Sequence, residues 1–201
     1  MSPNHLPTVI VLACGAGRRF RSSLKDAAIA QTDDNGFGYK LHARLGHQRV
    51  LDWTVAAAQS SGLPVYVHQG EYFEGMGDSI AAAVSRTSGA QGWLVLPGDL
   101  PFIASQTITQ VAAALQHHPV VVPFWQGQRA HPVGFALACR DALLSVSGEA
   151  GASSVVQTMG AQRLDVQDAG VAQDVDTWGD LQVLREQLGR GAVVTRNIGL
   201  K

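Results

Sequence analysis

Short, uncharged apolar runs alternate with longer stretches of mixed pattern. The first run, Val9-Ile10-Val11-Leu12, lies within Thr8–Phe20 (TVIVLACGAGRRF); it is rich in β-branched residues and carries no charge. Such a run reads as a buried parallel strand. Strand readings of the same kind fall at Pro64–His68, Trp93–Leu96 and Pro119–Val122. Between them, Val50–Ala58, the stretch from Ser79 to about Arg86, and Ala104–His117 carry helical patterns, with Ser79 a candidate cap. Strand, helix, strand, helix in this rhythm predicts an α/β fold with a parallel sheet and right-handed crossovers.

The pattern is weaker elsewhere. Arg21–Tyr39 is polar and aperiodic, and reads as a long loop with at most one helical turn at Lys25–Ala30. Glu71–Gly77 is a second loop. Further on, Ala130–Ala138 reads as a strand, Asp141–Ser145 and Ala152–Met159 as helices, and Leu164–Val166 and Val171–Val175 as short strands. Thr177-Trp178-Gly179-Asp180 fits a capping box opening a helix to about Leu188. Residues 1–201 form one domain in this reading, with 21–39 an inserted loop and 189–201 a C-terminal tail.

Composition changes the picture only by exclusion. A net charge of −1 over 201 residues gives no general polyanion-binding surface, so no nucleic-acid partner is expected. Cys14 and Cys139 make neither a disulfide framework nor a C-x-x-C motif. A reducing cytoplasm is the expected compartment. The first residues, MSPNHLP, lack the basic and apolar regions of a signal peptide. No apolar run is long enough to span a bilayer, so no membrane partner is expected.

The chemistry gathers at strand ends, where open parallel sheets bind ligands. Gly15-Ala16-Gly17 follows the first strand and leads into Arg18-Arg19. Glycine backbone can approach a ligand closely, and the arginines offer forked donors, so this is a candidate phosphate cradle. It is neither a dinucleotide fingerprint, since Phe20 stands where the third glycine belongs, nor a P-loop. Asp99, in Pro97-Gly98-Asp99-Leu100-Pro101, ends the third strand and is placed to hold a divalent cation. Asp176 ends Val171–Val175 in a similar way, although an acid before a helix is also an ordinary cap. Gly75-Met76-Gly77-Asp78-Ser79 could grip a base or ribose, or simply enter a helix. His131 reads as structural, and His117-His118 as a solvated helix end. No zinc-ligand spacing or nucleophile elbow is present.

Taken in order, these segments resemble the landmarks of nucleotidyltransferases related to molybdenum-cofactor cytidylyltransferase. Leu12–Phe20 is similar to L-A-x-G-x-G-x-R-F/M, and Lys40-Leu41 followed by Val50-Leu51 to K-L-L and the helix start after it. Gly75–Ser79 resembles G-M-G-x-S, and Leu96–Phe102 resembles L-P-G-D-M-P-F. Arg129–Val133 resembles G-H-P-V, Gly148–Gly151 resembles G-D-x-G, and Asp174–Leu181 resembles D-I-D-T-P-E-D-L. Departures are Arg21 after the F/M position, Ala130, Glu149 and Trp178. Lys25 and Lys40 both compete for the signature lysine, Lys40 being favoured by the Leu that follows it.

The resemblance implies a single three-layer α/β/α domain with a mostly parallel, Rossmann-like sheet of the nucleotide-diphospho-sugar transferase type. It implies Mg²⁺-dependent transfer of a nucleotide, with pyrophosphate leaving. Nucleotide contacts would fall on Leu12, Ala13, Gly15, Ala16, Gly17, Arg18, Gly77, Ser79, Pro97 and Gly98. Arg19, Lys40 and Asp99 would be catalytic, and Asp99 and Asp176 would hold the metal. The Leu-Pro-Gly-Asp-x-Pro-Phe form favours CTP, with a molybdopterin phosphate as acceptor and a molybdoenzyme or its chaperone as partner. The alternatives are another small phosphate or sugar-phosphate acceptor, an NAD(P)H-dependent reductase on a glycine-turn fold, or a non-catalytic nucleotide sensor.

Overall fold

The computed structural model describes residues 6–15, 17–30, 32, 34, 38–69 and 75–190. In chain order, β1 (Thr8–Leu12) is followed by α1 (Arg18–Asp26), a 3₁₀ turn at Lys40–His42, and the small hairpin β2 (Arg44–Leu45) and β3 (Gln48–Arg49). Next come α2 (Val50–Gln59), β4 (Val65–His68), α3 (Met76–Arg86), β5 (Gly92–Pro97), α4 (Ser105–Ala114) and β6 (Val120–Trp125). Then follow β7 (Gln128–Arg129), β8 (Val133–Ala136), α5 (Arg140–Leu144), α6 (Ser153–Thr158) and β9 (Gln162–Asp165). A 3₁₀ turn at Ala169–Ala172 and α7 (Trp178–Gly189) close the order.

The main sheet runs β4-β1-β5-β8-β6, with β7 and β9 both paired to β6. β1 is parallel to β4 and β5, and β6 is parallel to β9, whereas β8 lies antiparallel between β5 and β6. Successive strand side chains point to opposite faces. Val9 and Val11, with Leu94 and Leu96, therefore pack into one core with Phe20 and Leu24 of α1 and residues of α2, α4 and α7. Ile10 and Leu12, with Trp93 and Val95, pack into a second core against α3, α5 and α6. Both faces are covered, which is why these runs carry no charge and show no polar alternation. This is the three-layer α/β/α architecture that the sequence implies.

Three readings need correction. Arg21–Asp26 is not loop: α1 starts at Arg18, straight after Gly17, which sits in the left-handed region at φ 56°. Phe20 and Leu24, one helical turn apart, anchor it, and the helical turn ends at Asp26 rather than Ala30. α3 begins three residues before Ser79, with Gly75 as its N-cap, so Ser79 is a helix residue and not a cap. Val171–Val175 is not a strand: its start is the 3₁₀ turn, and only Val175 reaches toward the sheet end, donating its N–H to the Asp99 carbonyl at 3.0 Å. Its apolar residues are buried by packing, Val171 and Val175 both joining the first core. The remaining strands and helices shift by a few residues, and the capping box at Thr177 and Asp180 forms as read.

Candidate active site

The C-terminal ends of β1 and β5 lie side by side, because the Gly98 N–H donates to the Leu12 carbonyl at 2.9 Å. A Cβ on Gly98 would come within 2.9 Å of that same oxygen, so glycine is needed for the approach. The buried hydroxyl of Thr54, on α2, donates to the Gly98 carbonyl at 3.0 Å and fixes the turn from behind. Asp99 follows directly, at the mouth of the sheet.

The loop after β1 opens onto the N-terminus of α1. Gly17 is the helix cap, and the first turn of α1 carries no acidic residue. The unpaired N–H groups there favour an anion. Arg18 and Arg19 stand in that first turn, both exposed. Residues 38–40 pack beside this loop: the Tyr39 hydroxyl donates to the Ala13 carbonyl at 2.9 Å, and a Cβ on Gly17 would touch Gly38 and Tyr39 at 3.6 Å. Tyr39 thereby delivers the next residue, Lys40, to the same mouth. Lys25 is exposed near the far end of α1, so the structure places Lys40, not Lys25, with the other candidates.

Lys40 joins the acidic candidates directly. Its ammonium donates to Asp99 Oδ2 at 2.6 Å and to Asp176 Oδ1 at 2.6 Å. Arg19 reaches the other oxygen of Asp176 at 2.6 Å. Arg19, Asp176, Lys40 and Asp99 thus form one chain of charge. Exposure runs from 79% at the Arg19 side chain to 16% at Asp99. The placement of Asp176 comes from its surroundings: Val175 bonds to Asp99, and the Trp178 N–H at the start of α7 donates to Ser23 of α1 at 2.8 Å. Capping α7 is done by Thr177 and Asp180, so the Asp176 carboxylate is available to Lys40 and Arg19.

The electrostatics follow this geometry. Burial opposes the Lys40 charge, but Asp99 and Asp176 outweigh it and hold its pKa above the ordinary value. Burial likewise opposes the Asp176 charge, and here Lys40 and Arg19 prevail, keeping its carboxyl below the ordinary range. Asp174 is pushed up, by burial first and then by the charges of Asp99 and Asp176. The imidazole of His131 is buried close enough to feel Asp99, with burial holding its pKa below the usual value. The sequence reading missed Tyr39 and this position of His131; the aromatic residue directly before the candidate lysine was the available signal.

Other candidates stand further back. Leu12, Ala13, Gly15 and Gly17 form the cradle, and Pro97 and Gly98 adjoin it, while Ala16 lies outside the described residues. Gly77 turns its N–H to the Gly148 carbonyl at 2.8 Å, and a Cβ there would sit 2.6 Å from the Ser147 backbone. Ser79 is buried, donating to the Gly75 carbonyl at 3.3 Å and accepting from the Cys14 thiol at 3.1 Å. The Gly75–Ser79 segment therefore backs the cradle, seated on residues 147–149.

The MobA-like NTP transferase domain family matches residues 9–166. The chain belongs to that family. It is a nucleotidyltransferase, a MobA-like one, and the dinucleotide-reductase and non-catalytic readings give way to this. A curated relative, the bifunctional protein GlmU of Corynebacterium diphtheriae, is 26% identical over 155 residues. That match takes in 70% of this chain but only 32% of GlmU, so the chain spans about a third of that relative. The fold of Rv0371c from Mycobacterium tuberculosis, solved as a complex with manganese, superposes with a TM-score of 0.68 at 21% identity, covering 90% of this chain and 98% of that one. Molybdopterin-guanine dinucleotide biosynthesis protein A from Archaeoglobus fulgidus gives a TM-score of 0.62 at 15% identity, covering 91% of this chain and 99% of that one.

Among the described residues, no three metal-binding side chains cluster. Asp99 and Asp176 do offer oxygens that share one ammonium, each 2.6 Å from it, so they lie within twice that distance of each other. Two hard carboxylates beside a candidate phosphate cradle suit Mg²⁺ or Mn²⁺, which bind through one or two carboxylates and complete their shell with water and substrate phosphates. Among the described residues no helix is long and apolar enough to cross a membrane.

Proposed function

We propose that this nucleotidyltransferase moves CMP from CTP to the phosphate of a molybdopterin-type acceptor and releases pyrophosphate, with Mg²⁺ as cofactor. The observation that carries the reading is Lys40, held between Asp99 and Asp176 at the mouth of the Gly15–Gly17 turn. Attack of an acceptor phosphate oxygen on the α-phosphorus breaks the α–β bridge, and pyrophosphate carries away the electron pair. Catalysis of such a step is mostly positioning and neutralisation of charge. The backbone around Gly15 and Gly17 and the start of α1 receive the triphosphate, with Arg18 and Arg19 beside it. Lys40 faces the α-phosphate as charge develops. Asp99 and Asp176 would hold the divalent cation, which when bound supplies further positive charge to the phosphates. Leu12, Ala13, Pro97 and Gly98 wall the base side, while Gly77 and Ser79 support it from behind.

The MobA-like family, the likeness to molybdopterin-guanine dinucleotide biosynthesis protein A of Archaeoglobus fulgidus and the Leu96–Phe102 segment support a molybdopterin acceptor. Cytidine rests on the Leu-Pro-Gly-Asp-x-Pro-Phe form of that segment. The partner would then be a molybdoenzyme or its chaperone, in the cytoplasm. The test is pyrophosphate release from CTP, GTP, ATP and UTP in Mg²⁺, with molybdopterin or a panel of sugar phosphates as acceptor. Release that needs CTP and molybdopterin together is expected. Turnover with GTP, or with a sugar phosphate alone, would overturn the nucleotide or the acceptor assignment respectively.

A further inference from the structure

Two carboxylates at a phosphate-binding mouth repel each other unless a cation lies between them. Here the cation is part of the chain. The Lys40 ammonium makes 2.6 Å bonds to both Asp99 and Asp176, at side-chain exposures of 18%, 16% and 32%. It takes one oxygen from each carboxylate. A divalent ion held between the two carboxylates would take the place that the ammonium fills, and an ammonium and a metal ion cannot occupy the same gap. We propose that Lys40 is the resident counter-ion of the Asp99–Asp176 pair, and that it yields this place only when the triphosphate offers it a new anionic partner. Divalent metal then enters with the nucleotide and not before it. This rests on the proposed assignment of Asp99 and Asp176 as metal-holding residues.

Three features of the structure fit the exchange. Lys40 sits on a single 3₁₀ turn, Lys40–His42, rather than inside a long helix, so its side chain is held mainly by its two ion pairs. Tyr39 fixes the backbone beside the cradle through the Ala13 carbonyl, so a released ammonium stays next to the phosphates. Arg19, mostly exposed, holds the second oxygen of Asp176 and can turn to the phosphates with little desolvation. Every charge keeps an opposite partner: the carboxylates exchange the ammonium for a divalent ion whose extra positive charge is met by the arriving phosphates, and Lys40 exchanges carboxylate for phosphate.

Manganese alone is the probe. Its binding without nucleotide is measured by electron paramagnetic resonance of the free ion, for the wild-type chain, Lys40→Met and Lys40→Gln. Wild type should bind weakly, and either variant at least about tenfold more tightly, since removing the competing ammonium frees both carboxylates. In the double variant Lys40→Met/Asp99→Asn the gain should vanish. Equal affinity in wild type and a folded Lys40 variant would overturn the proposal, as would a gain that survives Asp99→Asn. Tm gives a second readout: manganese alone should raise the Tm of the wild-type chain far less than that of Lys40→Met, and an equal rise in the two would overturn the proposal. If no nucleotide adds to the manganese effect, the functional assignment fails, and the comparison of variants still decides the role of Lys40.

Discussion

Asp176 and Asp174, two residues apart, respond to pH in opposite directions. Asp176 is held below the ordinary carboxylate range, so it stabilises the fold above its unfolded-state pKa, about 4. That contribution is lost as pH falls through the lowered folded-state value. Asp174 works in the opposite direction, because its raised pKa means that ionisation costs stability as pH rises past the ordinary value. Asp176→Asn should therefore lower Tm at pH 7, and the gap to wild type should close toward pH 3; a gap that stays constant with pH would show that the ion pairs contribute nothing to stability. Asp99→Asn bears on chemistry. Removing one electrostatic group of this kind commonly costs on the order of 10²–10³ in rate, so kcat should fall by at least that while the circular dichroism spectrum is retained. A folded Asp99→Asn protein with wild-type kcat would remove Asp99 from the reaction.

At the level of elements, the Gly75–Ser79 segment is where packing and ligand roles can be separated. Alanine at position 77 would gain helix propensity, but its Cβ would meet the Ser147 backbone at 2.6 Å. Overpacking of that kind costs about 1–3 kcal/mol. Gly77→Ala should thus lower Tm by several degrees, at about 2–4 °C per kcal/mol in a domain of this size; an unchanged Tm would place the glycine requirement on the ligand instead. The same residues show what could be read from the chain alone. Apolar runs such as Val9–Leu12 announced the strands, because a sheet covered on both faces excludes charge. α1 was hidden because its exposed face is arginine, serine and lysine, and only Phe20 and Leu24 mark its buried side. The direction of β8 is not a local property: Val133–Ala136 would look the same parallel or antiparallel. Asp99 and the glycine turn were legible, since both sit at the ends of obvious strands. That Lys40 spans Asp99 and Asp176 was not, because it depends on contacts 59 and 136 residues away in sequence.

For the whole molecule, the informative boundary is Val166, where the family match ends. The segment beyond it lies outside the family match, yet the structure makes it part of both the core and the candidate site. Val171, Val175, Leu181 and Leu184 are all buried in the first core, at 5% exposure or less. Asp168 accepts from the Ala104 N–H at 2.9 Å, in place of a local cap for α4, and from the Thr107 hydroxyl at 2.7 Å. Gly170 packs so closely on the Phe102 carbonyl that a Cβ would lie 2.0 Å from it. Each buried aliphatic side chain is worth about 1.5–3 kcal/mol, so four of them stand for roughly 6–12 kcal/mol. That is comparable to the whole stability of a domain, about 5–15 kcal/mol. A chain ending at Val166 keeps the family-matched residues, the cradle, Lys40 and Asp99, but loses Asp176 and this packing. It should show no cooperative thermal transition and should expose apolar surface to a hydrophobic dye. A cooperative melt near the wild-type Tm would mean that the 167–190 segment only lies against a finished domain, and that Asp176 is carried to Lys40 by a separable element.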